Sequence, residues 1–579
     1  MGTANVSIFP NSRVLRNRYG LALCGVIILY CFLGFSYYLG AGSDDAFISL
    51  WVGERLAAGD GIVNQNFEQV EVCSSLLHTL ILAVLATIAP SYVFTLNKMA
   101  GLACGVVVLV SIYWYREDLY AKLKRCRFAA CATTLILVGT NPSFLYWNLG
   151  SQETPFVTLL LVLYTIGLAA HWRRPSLRLA AGVAMSAGLY TLVRPEGFYI
   201  VLFGIIYAIL FVRIHGWQRP VCAIVGVPAL FFVLVTGWRL VYFNALFPNP
   251  VYAKMGSMVE GVKNGLIYCW YFCASSLFIV YSLVIVAILA FWYGQKLWFL
   301  ASKKRAVSGD HLDQLFTFGM AVTVILVVVL AGGDWMTYFR LFVPAFPLLA
   351  ILSTVFTFAF FEAINEKVEA IGARRVLWAV QGLFVALLVI LNATQDDLNI
   401  PRPLPWRVES STSVYSVREV FSSLNELDRR MMLLNKEHAR DILLTEPFLE
   451  QVFPGLYAQH GRIVIAGGQM GVWPYIIRKH FPDHDITFVD HLGLCDYAIA
   501  RLPLAKDCIG LTQGKFVDEV LSGAIPLLSD HVRARKPHLA YMLGYAADMD
   551  RRVQVLENEG YHLVYENWPQ LVFFNPFPP

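Results

Sequence analysis

The sequence predicts a polytopic α-helical membrane protein that carries a separate α/β domain after its last apolar segment. Of its 579 residues, 57% are hydrophobic and only 15% are charged, and the mean hydropathy is +0.57. Soluble proteins rarely have this composition, whereas proteins with many membrane spans do. Near residue 400 the apolar runs stop, and short strands alternate with helices. We therefore expect a transmembrane domain over residues 1–398 and a soluble domain over residues 399–579.

Apolar runs of spanning length recur along the transmembrane domain. The first run ends near Leu39 and follows the basic residues Arg13, Arg16 and Arg18. Because no small-residue cleavage site follows it, we expect a retained span rather than a removed signal peptide. The later runs cover residues 76–90, 92–115, 128–147, 155–171, 178–193, 197–214, 221–243, 266–294, 314–331, 341–363 and 376–393.

Charge divides the loops between the two sides of the membrane. Basic clusters predict cytoplasmic loops, so the other loops and the soluble domain should lie outside. Twelve runs that start inside would also end inside, so one run is not a full crossing or one is missed. The pair of runs around Pro90 is the expected place for a half-span. We expect about 11 to 13 spans. The basic clusters lie at 116–127, 173–178, 213–219, 296–305 and 367–375.

The soluble domain has the pattern of a small α/β fold. Pro401, Pro403 and Pro405 predict a stiff linker in front of it. The turn at Gly467–Gly471 follows a strand but lacks the GxGxxG spacing, so a structural turn is favoured over a nucleotide site. The net charge of +5 is small and spread over loops, which argues against nucleic acid as a partner. The predicted strands are Arg462–Ala466, Ile486–Val489 and Leu571–Phe574, and the predicted helix is Val472–His480.

Acidic and basic residues gather at the outer ends of the apolar runs. Because ionised groups beside hydrocarbon are costly and tend to mark function, we expect these residues to form one site where the membrane meets water. Asp44 and Asp45 follow the first span directly, although they could instead cap a short helix over Ala46–Ala58. The candidates are Asp44, Asp45, Glu71, Glu153, Arg194, Glu196, Lys254, Asp334 and Arg340.

A site at this boundary suits a substrate that is half lipid and half polar, such as a sugar carried on a polyprenyl phosphate. Its transfer needs cations on the leaving phosphate, a carboxylate as general base and groups that orient the sugar ring. Simpler interpretations stay open for some candidates. Arg194 and Glu196 could form a surface ion pair, Lys254 could snorkel from a helix end, and Asp334 could be a turn residue.

Seven motifs, spaced by spans, occur in one order along nearly the whole chain. Together they resemble the GT-C membrane arabinofuranosyltransferases, in particular the actinobacterial terminal β-1,2-arabinofuranosyltransferases. The motifs lie at Asp44–Ile48 with Ala57–Asn64 and Val70–Glu71, Glu153–Pro155, Arg194–Gly197, Pro248–Asn249 with Tyr252–Lys254, Gly332–Met336 with Arg340, Val472–Tyr475, and Asp490–Leu494 with Asp496, Ile499 and Ala500.

Three segments depart from the usual pattern of this family. They are Cys73–Ser75, Gly150–Pro155 and Asn249–Pro250. Because they border the presumed sugar site, the identity of the donor sugar stays open, and mannose or another pentose is an alternative to D-arabinofuranose.

The resemblance implies a GT-C fold and an enzyme that moves a sugar, first of all D-arabinofuranose, from a polyprenyl phosphate to a cell-surface glycan or glycoprotein. It also implies a bacterial cytoplasmic membrane, with the active site and the C-terminal domain on the periplasmic side. A divalent cation stays open, with Glu153 and Asp334 as one half of its site. The implied roles are catalytic base for Asp45 or, less favoured, Asp44; donor phosphate ligands for Arg194, Lys254 and Arg340; and sugar or acceptor contacts for Glu71, Glu153, Glu196 and Asp334.

Two other functions of membrane proteins compete with this interpretation. A flippase or transporter for lipid-linked sugars would place ionisable residues near the middle of the bilayer, where the apolar runs have almost none. A ligase or polymerase for surface polysaccharide would share the compartment but would lack the early pair of acids.

Overall fold

The computed structural model describes residues 12–254, 258–301, 313–334, 336–368, 370–395, 447–468, 470–502, 520–523, 526–543, 549–567 and 570–576. The predicted proline linker at residues 401–405 and the predicted domain boundary at residue 398 lie outside these ranges. So do Trp335 and Gln469, which belong to two of the sequence motifs. Up to residue 395 the described chain is helical, and from residue 447 it is an α/β domain.

The helices of the first part follow the predicted apolar runs, with short helices between some of them. The first helix continues into a π-helical turn, and two segments are 3₁₀ helices. The α-helices are Ser12–Leu33, Asp45–Ala58, Leu76–Ile88, Val93–Trp114, Arg116–Leu119, Arg127–Gly139, Pro142–Leu149, Thr154–Arg173, Leu177–Val193, Phe198–His215, Pro220–Phe243, Asn249–Lys254, Met258–Ala274, Leu277–Ala301, Asp313–Leu330, Phe346–Lys367 and Ile371–Ala393; the π turn is Gly34–Tyr38, and the 3₁₀ helices are Pro90–Tyr92 and Thr337–Ala345.

The described chain is a polytopic membrane protein. Eight of its helices are long and apolar enough to cross a membrane, and there are nine spans if the bent pair Arg127–Gly139 and Pro142–Leu149 is one crossing. Three further apolar helices are shorter, at Leu76–Ile88, Leu177–Val193 and Gln314–Leu330. The predicted count of about 11 to 13 spans therefore requires that shorter helices also cross.

One predicted apolar run is wrong in its extent. The structure divides the run 266–294 into two helices, Met258–Ala274 and Leu277–Ala301. Ser276 separates them, and its Oγ accepts the backbone N–H of Phe278 at 3.2 Å, as an N-cap does. The run is therefore two helices rather than one.

The second helix of the bent pair ends at Leu149, shortly before the candidate site residue Glu153. Arg127–Gly139 and Pro142–Leu149 meet at 54°, and the side chain of Asn141 caps the second helix, whose first residue is proline. A Cβ at Gly101 would lie only 2.1 Å from the carbonyl oxygen of Asn148. Glycine is therefore required at residue 101, where the helix Val93–Trp114 packs against the helix Pro142–Leu149.

The C-terminal domain is built on a five-stranded mixed sheet, whose strands are β1 Ile463–Gly467, β2 Ile486–Asp490, β3 Leu539–Leu543, β4 His562–Asn567 and β5 Gln570–Phe574. Their order in the sheet is β2-β1-β3-β5-β4. Strand β1 is parallel to β2 and β3, and β5 is antiparallel to β3 and β4. The three predicted strands are confirmed to within one residue, and the predicted helix is confirmed, whereas β3 and β4 were not predicted. The α-helices of the domain are Phe453–His460, Val472–His480, Pro526–Arg533 and Met549–Asn558.

One face of the sheet shares a hydrophobic cluster with the helix Asp45–Ala58. Ile465 of β1 belongs to this cluster together with Trp473 and Phe47, and the ring of Phe47 lies 5.4 Å from that of Tyr475. Alternate strand residues such as Val464 face a second core on the other side of the sheet. The C-terminal domain thus packs on the loop that begins with the two adjacent acids.

Candidate active site

The structure brings five of the predicted site residues together, and each lies at or near the end of a helix. Asp45 begins the helix Asp45–Ala58, Glu153 precedes Thr154–Arg173, Arg194 follows Leu177–Val193, and Arg340 lies in the 3₁₀ segment before Phe346–Lys367. Ion pairs and electrostatic contacts connect all of them. We call this set the acid–arginine cluster; its members are Asp45, Glu153, Arg194, Asp334 and Arg340.

Arg340 is the centre of the cluster. Its Nε donates to Asp334 Oδ2 at 2.6 Å, and its Nη1 donates to Gln152 Oε1 at 2.5 Å. The same Nη1 lies 3.7 Å from Asp45 Oδ2. Gln152 in turn donates to the Ser43 hydroxyl. A planar guanidinium with several fixed donors is suited to holding two acids and an amide at once.

The backbone around these residues adopts left-handed conformations without glycine. Tyr338 and Phe339, just before Arg340, have φ values of 50° and 51°, and Ser151, just before Gln152, has a φ of 58°. Each such residue costs of order 1–3 kcal/mol and tends to occur at functional sites. Both segments that carry the Arg340–Gln152 contact are therefore held against their local preference.

Arg194 contacts two acids at longer range. Its Nη1 lies 3.4 Å from Glu153 Oε1, and its Nε lies 3.7 Å from Glu196 Oε1. Arg194 and Glu153 are buried, and Glu196 is partly exposed. The simple surface pair between Arg194 and Glu196 is therefore only part of the arrangement, because Glu153 joins the same guanidinium inside the protein.

The electrostatic surroundings of Asp45 favour a proton acceptor. Burial raises the pKa of Asp45 above its ordinary value; Arg340 and Lys254 oppose this rise, and Asp334 and Glu153 add to it. About a quarter of its side chain (26%) is nevertheless exposed. A carboxylate that is accessible and has a raised pKa is suited to general base catalysis near neutral pH.

Glu153 is shifted in the opposite direction, although it is more deeply buried. Burial raises the pKa of Glu153, but the charges of Arg194, Arg340 and His78 outweigh this effect and bring the pKa below its ordinary value. The cluster therefore separates its acids into an ionised Glu153 and a more basic Asp45. Such a separation is typical of acid and base sites.

Lys254 lies at the edge of the cluster. It ends the short helix Asn249–Lys254, its side chain is exposed, and its charge acts on Asp45. The structure thus places this predicted phosphate ligand within electrostatic reach of the predicted base.

Asp44 has a different position from its neighbour. Its Oδ1 accepts the backbone N–H of Val472 at 2.7 Å, and its Oδ2 accepts that of Gly471 at 3.0 Å. Asp44 is the N-cap residue of the helix Asp45–Ala58 by position, as the capping alternative expected, but its side chain makes no capping bond there. Its carboxylate instead caps the helix Val472–His480 of the C-terminal domain.

Glu71, a predicted sugar or acceptor contact, forms a buried ion pair with Arg239. Arg239 Nε lies 2.8 Å from Glu71 Oε2, and its Nη2 lies 3.0 Å from Oε1. The carbonyl oxygen of Glu71 also accepts the N–H of Asn249 at 2.9 Å. These contacts support the segment that leads to Lys254. Arg239 was missed in the sequence, although an arginine inside the run 221–243 is the signal that could have indicated it.

Lys98 was also missed in the sequence. This buried lysine lies in the helix Val93–Trp114, and its Nζ donates to the carbonyl oxygens of Leu39 at 3.1 Å, Leu149 at 2.8 Å and Ala41. It ties the end of the first span to the segment before Gln152. The only sequence signal was a lysine inside an apolar run.

The described residues contain no group of three His, Cys, Asp or Glu side chains that could hold a metal ion. Glu153 lies 3.4 Å from Arg194 and Asp334 lies 2.6 Å from Arg340, so a divalent cation at these two carboxylates would compete with both arginines. The divalent cation stays a prediction.

Comparisons with known proteins give a structural likeness without a sequence relative. No protein-family model matches the chain, and no curated protein matches it. Among solved structures, the archaeal oligosaccharyltransferase AglB from Archaeoglobus fulgidus, in complex with an inhibitory peptide and a dolichol-phosphate, is 9% identical; the match covers 97% of this chain and 74% of that chain, with a TM-score of 0.50.

The chain has the GT-C fold. Two other solved structures are similar at lower scores. ArnT from Cupriavidus metallidurans bound to undecaprenyl phosphate is 10% identical, with coverage of 96% and 97% and a TM-score of 0.48. The arabinofuranosyltransferase AftD from Mycobacteria is 11% identical, with coverage of 96% and 40% and a TM-score of 0.45. The likeness to the oligosaccharyltransferase, together with the helices and the C-terminal sheet, confirms the predicted GT-C fold with a C-terminal α/β domain.

Proposed function

We propose that this GT-C protein is a glycosyltransferase that uses a polyprenyl-phosphate sugar. It moves D-arabinofuranose to a cell-surface glycan or glycoprotein on the outer face of the bacterial cytoplasmic membrane. The observation that supports the proposal is the acid–arginine cluster, in which the carboxylate of Asp45, whose pKa is raised by burial, lies 3.7 Å from the Arg340 guanidinium and feels the charge of Lys254.

The class of donor is supported by the fold and by the position of the cluster. The archaeal oligosaccharyltransferase that shares the fold was solved with a dolichol-phosphate, and a site at the ends of membrane helices suits such an amphipathic molecule. D-arabinofuranose as the sugar rests on the sequence motifs. Mannose or another pentose is the alternative.

Asp45 is the proposed base of the reaction. The oxygen of an acceptor hydroxyl forms a bond to the anomeric carbon, the bond from that carbon to the phosphate oxygen breaks, and the hydroxyl proton passes to the Asp45 carboxylate. The raised pKa of Asp45 suits this transfer, and Arg340, 3.7 Å away, fixes the position of the carboxylate.

Arg194 and Lys254 are the proposed ligands of the leaving phosphate. Arg340 already donates to Asp334 and Gln152 at 2.6 Å and 2.5 Å, whereas the ion pairs of Arg194 are longer and Lys254 is exposed. A phosphate would form short charge-assisted hydrogen bonds with both. Arg340 acts at longer range on the same charge.

The remaining acids of the site are proposed to bind hydroxyl groups of the sugar or the acceptor. Glu153 and Glu196 approach Arg194 from two sides, so they lie beside the proposed phosphate position. Asp334 is bound to Arg340. Such contacts hold the ring in line with the attacking hydroxyl.

The experiment is a transfer assay with the full-length protein in lipid nanodiscs. The probes are radiolabelled polyprenyl-phosphate arabinofuranose and polyprenyl-phosphate mannose, each with an arabinan oligosaccharide acceptor. We expect label in the acceptor with the first donor. Label only with the mannose donor would show that mannose, rather than arabinofuranose, is the donor sugar. Movement of the lipid across vesicle membranes without a new glycosidic bond would show a flippase instead.

A further inference from the structure

The C-terminal domain contacts the backbone next to the proposed base. The Asp44 carboxylate accepts the N–H groups of Gly471 and Val472 at 3.0 Å and 2.7 Å. These N–H groups have no partner inside the helix that begins at Val472, and an aspartate there satisfies them and interacts favourably with the helix dipole. Asp44 is the residue directly before Asp45, so this contact fixes the start of the helix that carries the base.

The two backbones touch at this point. A Cβ at Gly471 would lie 1.9 Å from the carbonyl oxygen of Asp44, far inside any normal contact distance. Because only glycine fits at position 471, the backbone of the C-terminal domain packs directly against the backbone of the first loop, without a side chain between them.

Neighbouring residues extend this contact between the C-terminal domain and the first loop. Asn66 exchanges two hydrogen bonds of 2.8 Å with the backbone of Phe488 in β2, and Gln65 Nε2 donates to the carbonyl oxygen of Met470 at 2.7 Å. Polar side chains therefore pair with backbone groups of the domain along several residues, in addition to the shared hydrophobic cluster.

A second contact holds the segment that carries Lys254. Asn249 begins the helix Asn249–Lys254, and its Nδ2 donates to three carbonyl oxygens of the C-terminal domain. Since the helix has only six residues, fixing its first residue restricts the position of its last. The acceptors are Gly493 at 2.9 Å, Leu494 at 3.1 Å and Asp496 at 3.2 Å.

Arg501 strengthens this second contact. Its Nη1 donates to Asn249 Oδ1 at 2.7 Å, so both ends of the Asn249 amide are bound to the domain. Its guanidinium also lies 4.2 Å from the ring centre of Tyr252 in the same helix, an attractive cation–π contact.

We propose that the C-terminal domain positions two residues of the transfer site, and that Gly471 and Arg501 are the positioning residues. Gly471 acts through Asp44 on the base Asp45, and Arg501 acts through Asn249 on Lys254. The domain thereby sets the distance between the base and a phosphate ligand. This inference rests on the roles given to Asp45 and Lys254 in the proposed function.

The first test compares Gly471→Ala with Gly455→Ala in the full-length protein. Gly455 lies in another helix of the same domain, and a Cβ there meets nothing within 4 Å. A misplaced base costs roughly a hundredfold in rate, so we expect Gly471→Ala to lower kcat by about that factor with little change in the donor KM, and Gly455→Ala to match the wild type. A kcat for Gly471→Ala within about twofold of the wild type would overturn the inference.

The second test uses a different variant, so the inference can still be tested if Gly471→Ala does not fold. Arg501→Gln removes the guanidinium and leaves the first contact intact. We expect weaker binding of undecaprenyl phosphate, and a higher donor KM, by roughly tenfold with an unchanged kcat. Arg501→Lys retains the charge and should recover part of the loss. If Arg501→Gln lowers only the amount of folded protein, while folded molecules bind undecaprenyl phosphate normally, the role is structural and the inference fails.

These measurements separate the inference from the proposed function. Whether the wild type transfers a sugar from the lipid donor tests the proposed function. Binding of undecaprenyl phosphate by Arg501→Gln and the wild type decides the inference whichever sugar is transferred.

Discussion

The Nη1 atom of Arg340 lies 3.7 Å from Oδ2 of Asp45, while the Nε of the same guanidinium is bound to Asp334 at 2.6 Å. One buried cation thus connects the proposed base with a second acid. Since burial raises the pKa of Asp45 and Arg340 opposes that rise, this relationship sets the pH range in which the base is ionised.

Arg340→Gln should move the acidic limb of the pH–rate profile to higher pH. The base must be unprotonated, so activity falls as the pH drops through its pKa, and loss of a neighbouring positive charge raises that pKa. The profile of kcat/KM against pH measures this shift in the free enzyme. An acidic limb at the wild-type position would show that Arg340 does not act on the base.

Arg194→Ala and Lys254→Ala should weaken use of the donor. A hydrogen bond between charged groups contributes about 1.5–3 kcal/mol, so we expect each variant to lose roughly 10- to 100-fold in kcat/KM for the donor. Steady-state kinetics over a range of donor concentrations measures this. Lys263→Ala, at another lysine near the same loop, is the control. Wild-type kinetics in both variants would remove these residues as phosphate ligands.

Glu71→Gln should lower stability rather than change substrate binding. Its partner Arg239 is buried, and breaking a buried ion pair costs about 3–5 kcal/mol because an unpaired charge stays behind. Thermal unfolding in detergent measures the loss, and the double variant with Arg239→Met should recover part of it. A stable Glu71→Gln variant with a raised acceptor KM would instead support the predicted sugar or acceptor contact.

Lys98→Met should destabilise the loop between the first span and the site. Three carbonyl oxygens lose their donor, and each buried unsatisfied group costs about 1–3 kcal/mol. We expect a lower melting temperature and reduced kcat. Lys124→Met, at a lysine whose side chain is 78% exposed, should have no such effect. Equal behaviour of the two variants would contradict the role of Lys98.

The sequence was sufficient for features that depend on local patterns. Apolar runs predicted the helices, and charges at the ends of those runs predicted the five residues of the acid–arginine cluster. The helix Val472–His480 was predicted with its observed bounds because its amphipathic period is clear. The strand β3, with its continuous apolar residues and no alternation, was not found.

Pairings between distant segments were not available from the sequence. Arg239 and Glu71 are 168 residues apart, and Asp44 and Gly471 are 427 residues apart. A single acid has the same local signal whether it caps a distant helix, neutralises a buried arginine or accepts a proton. The division of roles between Asp44 and Asp45 therefore depends on tertiary packing.

The most direct test of the account is the single-turnover rate of sugar transfer by Asp45→Asn in nanodiscs. The control is Asp60→Asn, at an exposed acid just after the same helix. General base catalysis contributes about 10²–10⁴-fold, so Asp45→Asn should lose that factor while binding undecaprenyl phosphate normally, and Asp60→Asn should retain the wild-type rate. A wild-type rate in Asp45→Asn would contradict the account.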